Sequence, residues 1–127
     1  MNERPDAVCS IPFPNPPKRC RESLRLLRNG SIEAVIYDFS EFAHGCYGSE
    51  ITYILTLDPQ SVCQMMERIR PENYNPNFSG VSEFDLHRVA KRFDCYMNFK
   101  GFCDVNNIPY SLVFVSHPLE ERHVSNL

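Results

Sequence analysis

The residues best suited to chemistry crowd into one short run, "EFAHGCYGSE", residues 41 to 50. His44 and Cys46 stand two positions apart, with Glu41 and Glu50 at the ends. A cysteine nucleophile needs a base within hydrogen-bond reach, a group that orients the base, and oxyanion donors near a helix N-terminus. His44 and Cys46 can meet across a loop, but the segment after Cys46 reads as a strand, not a strand-to-helix elbow. The carboxylates around it raise a thiol pKa and so quench its reactivity. "GCYGS" lacks the glycine spacing and the following Lys-Ser/Thr of a phosphate loop. Glu41 and Glu50 make a carboxylate pair with no pocket marked around them. His87, His117 and His123 are scattered, and no Cys-x-x-Cys or His-x-x-x-His spacing marks a zinc site. No catalytic residue, metal or cofactor is therefore expected.

The elements around this run set its context. At 127 residues the chain suits a single domain with a real core. No stretch approaches the ~20 apolar residues that span a bilayer, and "MNERPDAVCSIPFPNPPKRC" has no apolar h-region of a signal peptide. A cytoplasmic location is expected. The six cysteines, at 9, 20, 46, 63, 95 and 103, follow no tight framework and are expected to be reduced.

"IPFPNPP" excludes helix and disfavours a central strand, so residues 1–17 read as a proline-rich arm laid on the domain by Ile11 and Phe13. Residues 18–127 read as one α+β domain. In "KRCRESLRLLRNG", Cys20, Leu24 and Leu27 recur at helical spacing and Gly30 fits a C′ position, which predicts a basic amphipathic helix. Strands are predicted over 32–39 and in "EITYILTL", where Ile51, Tyr53, Leu55 and Leu57 share a face. Asp58 and Pro59 start a helix with Val62, Met65, Met66 and Ile69 as its apolar stripe. Ser82, with Asp85 closing a capping box, starts a second whose Leu86, Val89, Ala90 and Phe93 point inward. A short helix follows around 96–104. "IPYSLVFVSH" reads as a strand whose Pro109 fits an edge or a first-residue position, ahead of a polar tail. The fold expected is a small mixed or antiparallel sheet packed with three to four helices.

Charge is unevenly distributed. Residues 1–28 carry six bases against three acids, whereas residues 29–67 carry six acids (Glu33, Asp38, Glu41, Glu50, Asp58, Glu67) and no Lys or Arg. Acids along two strands and their loop, interleaved with Tyr37, Phe42 and Tyr47, suit a basic protein partner: charge speeds encounter and an aromatic anchors the centre.

"GSEITYILTLDPQSVCQMMERI" and "FKGFCDVNNIPYSLVFVS" together resemble a pattern in bacterial immunity proteins of polymorphic toxins, including contact-dependent growth inhibition systems. The resemblance spans about residues 45–115 through Gly48, Tyr53, Asp58, Phe102, Ile108 and Tyr110. It implies an α+β protein that neutralises a cognate toxin domain, often a nuclease, by covering it. It carries over no contact residue. From the acidic block, the expected toxin contacts are Asp38, Glu41, Tyr47 and Glu50, without membrane or direct nucleic-acid binding. The alternative is a nucleic-acid-associated regulatory protein using the basic helix at 18–28. A small hydrolase at His44 and Cys46 is a third reading.

Overall fold

The computed structural model describes residues 7–40, 43, 45, 50–69 and 81–116. Five strands form one antiparallel sheet in sequential order: β1 (Ala7–Pro12), β2 (Cys20–Leu27), β3 (Ile32–Asp38), β4 (Ile51–Leu57) and β5 (Ser111–Ser116). Between β4 and β5 run α1 (Pro59–Ile69), α2 (Glu83–Phe93) and α3 (Tyr96–Val105). The α+β class is as expected, and the sheet is wholly antiparallel. Among the described residues, no helix is long and apolar enough to cross a membrane.

The segment expected as a basic helix is the strand β2. Cys20, Leu24 and Leu27 satisfy a helical repeat, but Glu22, Leu24 and Leu26 equally satisfy a period of two, and all three of those are buried. Arg and Leu favour helix locally. Pairing on both sides, Leu24 with Ile11 of β1 and with Ala34 of β3, overrides that preference. Gly30 does adopt positive φ, at 93°, but in a hairpin turn. Its N–H donates to Leu27 O at 3.0 Å and the Leu27 N–H to Ser31 O at 2.9 Å, the geometry of a three-residue loop with a left-handed glycine. The same glycine conformation serves a helix end and this turn, so it did not discriminate between them.

Residues 7–12 of the proline-rich arm are likewise part of the sheet. Ala7–Pro12 is its edge strand, where proline is tolerated. Ile11 and Phe13 are buried as expected, and Phe13 packs edge-on to Phe99 of α3.

Register gives the sheet two distinct faces. Rows such as Ile11–Leu24–Ala34–Leu55 and Leu26–Ile32–Leu57 belong to the core with Val62, Met65, Met66, Leu86, Val89, Phe93 and Phe99 from the helices. The outer face carries Arg21–Tyr37–Thr52, Ser23–Val35–Ile54 and Arg25–Glu33–Thr56. α1 and α2 start as the sequence predicts. The Ser61 N–H donates to Asp58 Oδ1 at 2.8 Å, and Ser82 with Asp85 closes a reciprocal capping box.

α3 is capped from a distance. Cys95 makes no side-chain cap; instead Glu22 of β2, 4 % exposed, accepts the Tyr96 N–H on Oε1 at 2.8 Å. Its Oε2 has no hydrogen-bond partner among the described residues. Burial pushes the Glu22 carboxyl pKa up, opposed by the Tyr96 N–H. A raised carboxyl pKa contributes stability that is full below about 4.5, the unfolded value, and is lost as pH rises through the folded pKa. Glu22→Gln keeps the acceptor but cannot titrate. The melting temperature of the variant minus that of the wild type is therefore expected to rise with pH above about 4.5 and then level off. A difference independent of pH would refute this assignment.

Candidate functional site

The end of the sheet where β2 begins and β3 finishes gathers the functional candidates. Tyr37 lies opposite Arg21 on the outer face, and Phe39 continues β3 beyond Asp38. Arg19, in the turn before β2, has φ 62°. Its carbonyl accepts the Phe39 N–H at 3.0 Å, which extends the β2–β3 ladder by one more bond. Both guanidinium groups lie over the Phe39 ring, with the Cζ of Arg19 5.3 Å and that of Arg21 5.7 Å from the centroid. The Tyr37 ring leans on Phe39 at 5.6 Å between centroids, and its hydroxyl donates to Glu50 Oε1. A half-buried phenylalanine is thus ringed by two exposed arginines, a tyrosine and a carboxylate held by that tyrosine.

Of the four expected contacts, the structure places two. Glu50 belongs to this outer-face cluster through Tyr37. Asp38 lies opposite Cys20 and Ile51, on the helix-bearing face, and accepts the Ser40 N–H on Oδ1 at 2.9 Å. Glu41 and Tyr47 lie outside the described residues, as do His44 and Cys46. Phe39 was missed as a candidate, and Arg19 and Arg21 were read only as part of a basic nucleic-acid helix at 18–28, which is the strand β2 and the turn before it. Alternation of Arg21, Ser23 and Arg25 with Glu22, Leu24 and Leu26 was the available signal.

Folding also redistributes the acidic block. Glu33, 2 % exposed, is ion-paired with Arg25 at 2.7 Å, and Asp58 caps α1. Strand β2 interleaves its bases with the acids of β3, so the sheet end presents mixed charge. Stacked guanidinium groups keep planar edges suited to carboxylates, while Glu50 suits a cation.

Three of the described thiols, Cys9, Cys20 and Cys103, are poorly disposed to nucleophilic chemistry. Cys9, Cys20, Cys63, Cys95 and Cys103 are free. Burial raises the pKa of Cys9, pushes Cys20 to about 11 with Asp38 and Glu22 adding to it, and pushes Cys103 to about 12. No group of three or more His, Cys, Asp or Glu among the described residues is placed to hold a metal ion.

Comparison with protein-family models, with curated proteins and with solved structures finds no match.

Proposed function

We propose that the chain is a non-catalytic binding protein of the immunity type, which neutralises a cognate toxin domain in the bacterial cytoplasm by non-covalent contact. The observation that carries the reading is the Arg19–Phe39–Arg21 stack with Tyr37 and Glu50 beside it, on the outer face where β3 finishes. Arginine and aromatic side chains dominate the energetics of protein interfaces. A toxin domain of mixed surface charge complements this patch. A basic nuclease would meet it chiefly through Glu50, with Glu41 and Tyr47 as further contacts from the sequence reading, and would reach Asp38 only around the end of the sheet.

A pull-down from the native host at moderate salt, with the tagged full chain as bait, tests the proposal. One stoichiometric protein domain is expected, and co-expression should relieve that domain's toxicity. Recovery of nucleic acid in place of protein would overturn it. The nucleic-acid alternative has lost the helix assigned to it, and Arg25 is engaged by Glu33. In a salt titration with plain RNA, the chain is expected to show no steep phosphate-driven binding; a log–log slope of about −3 or steeper would favour that alternative.

A further inference from the structure

The turn into β2 is strained at an arginine. Residues 17–20 close a turn in which the Cys20 N–H donates to Pro17 O at 3.2 Å. Of its two central residues only Arg19 has positive φ, at 62°. That is the pattern of a type II turn, whose ordinary occupant at this position is glycine or asparagine. A bulky side chain there costs backbone strain. The fold itself does not call for an arginine. The ladder bond to Phe39 uses the Arg19 carbonyl, which any residue supplies. The side chain makes only a long contact, Nη2 to Phe39 O at 3.5 Å, and the stack on the Phe39 ring. Arg21 reaches the same ring from β2, and Lys18, next to Arg19, is exposed. Arg25, further along the strand, is neutralised by Glu33, but neither Arg19 nor Arg21 has an ion pair among the described residues.

We infer that Arg19 and Arg21 are the docking point for side-chain carboxylates of the protein partner, an inference that rests on the binding reading above. Two like charges held at one ring repel each other, and an arriving carboxylate relieves that repulsion. The ring fixes each guanidinium by its face and leaves the donating edge for planar, two-point pairing with a carboxylate. Side chains held in advance also spare much of the ordering that binding would otherwise cost. The chemistry favours a protein surface over a nucleic acid. A phosphate backbone brings a continuous row of anions, and the Glu50 carboxylate, held by the Tyr37 that leans on Phe39, lies beside the two arginines. A folded protein can set an acid over β2 and a donor over Glu50. The partner therefore carries an acidic contact residue even if its surface is basic as a whole. Strain at Arg19 thus serves recognition, not stability.

Titration of the full chain with a capped hexaglutamate peptide at low ionic strength tests the arginine pair apart from any partner. The readout is the Nε–Hε resonances of the arginines and the Phe39 ring. Saturable shifts are expected at Arg19, Arg21 and Phe39, and none at Arg28. Arg19→Gly, which puts glycine at positive φ, is expected to lose these shifts and yet to melt no lower than the wild type. Arg21→Gln is expected to lose them too, and Arg28→Gln to keep them. Against the captured domain, Arg19→Gly with Arg21→Gln is expected to bind roughly 10- to 100-fold more weakly. Shifts spread evenly over the exposed arginines would overturn the inference. So would an Arg19→Gly variant that melts lower, or a single-stranded RNA hexamer that saturates the same resonances in place of the peptide. A captured domain that binds the double variant like the wild type would remove the carboxylate site and leave the binding reading standing. Peptide shifts with no domain captured would do the reverse.

Discussion

Arg25→Met is expected to lower the unfolding free energy by about 2–3 kcal/mol. Arg25 Nη1 lies 2.7 Å from Glu33 Oε1, on neighbouring strands and on the outer face. Glu33 is 2 % exposed, so removing Arg25 leaves its carboxylate in a low-dielectric site without this cationic neighbour. Breaking a fully buried pair from one side costs about 3–5 kcal/mol; the lower figure here reflects Arg25, whose side chain is 27 % exposed and partly screened. Arg25→Met with Glu33→Met removes both charges and is expected to recover most of the loss, because the pair itself contributes little beyond neutralising its own desolvation. Urea denaturation of the single and double variants measures this. A double variant as unstable as the single one would show that the loss comes from packing on the Arg25 stem.

The second large effect concerns binding. Phe39→Ala is expected to weaken association with the proposed toxin partner by about 2–3 kcal/mol, roughly 30- to 150-fold. The ring supports Arg19, Arg21 and Tyr37 at once, so its loss frees three side chains that the partner must then order. Phe39 is only half-buried, at the strand's end, so folding stability is expected to change by less than about 1 kcal/mol. Isothermal titration with the captured domain, beside a thermal melt, separates the two. Unchanged affinity in Phe39→Ala, with loss in Arg88→Glu on α2, would move the interface to the helical side of the molecule.

Both effects depend on neighbours that sequence distance conceals. Arg25 and Glu33 are eight residues apart, Arg19 and Phe39 twenty, and Glu22 and Tyr96 seventy-four. Pairing register makes the first two pairs partners, and the seating of α3 on the sheet makes the third. Asp38 and Glu50 were legible as polar residues at the border of a long loop. Their separation onto opposite faces was not, because it depends on the alternation of β3 and on the reach of Tyr37. The acidic block was real in the sequence, but among the described residues Glu33 is paired with Arg25, Asp58 caps α1, and a basic strand lies beside β3.

By itself the sequence determined whatever local chemistry decides. Asp58 and Ser82 with Asp85 start their helices because side-chain oxygens satisfy N–H groups a few residues away. Ile32–Asp38 and Ile51–Leu57 are strands because β-branched and aromatic residues crowd them, and the inward stripes of α1 and α2 follow from helical spacing. Tertiary structure decided residues 20–27, where helical and strand periods both fit and pairing with β1 and β3 settled the choice. It also decided the Glu22 cap on α3, the Arg25–Glu33 pair and the Arg–Phe–Arg stack. In each case the energy lies in a contact between distant segments, and no local pattern encodes which strand will lie beside which.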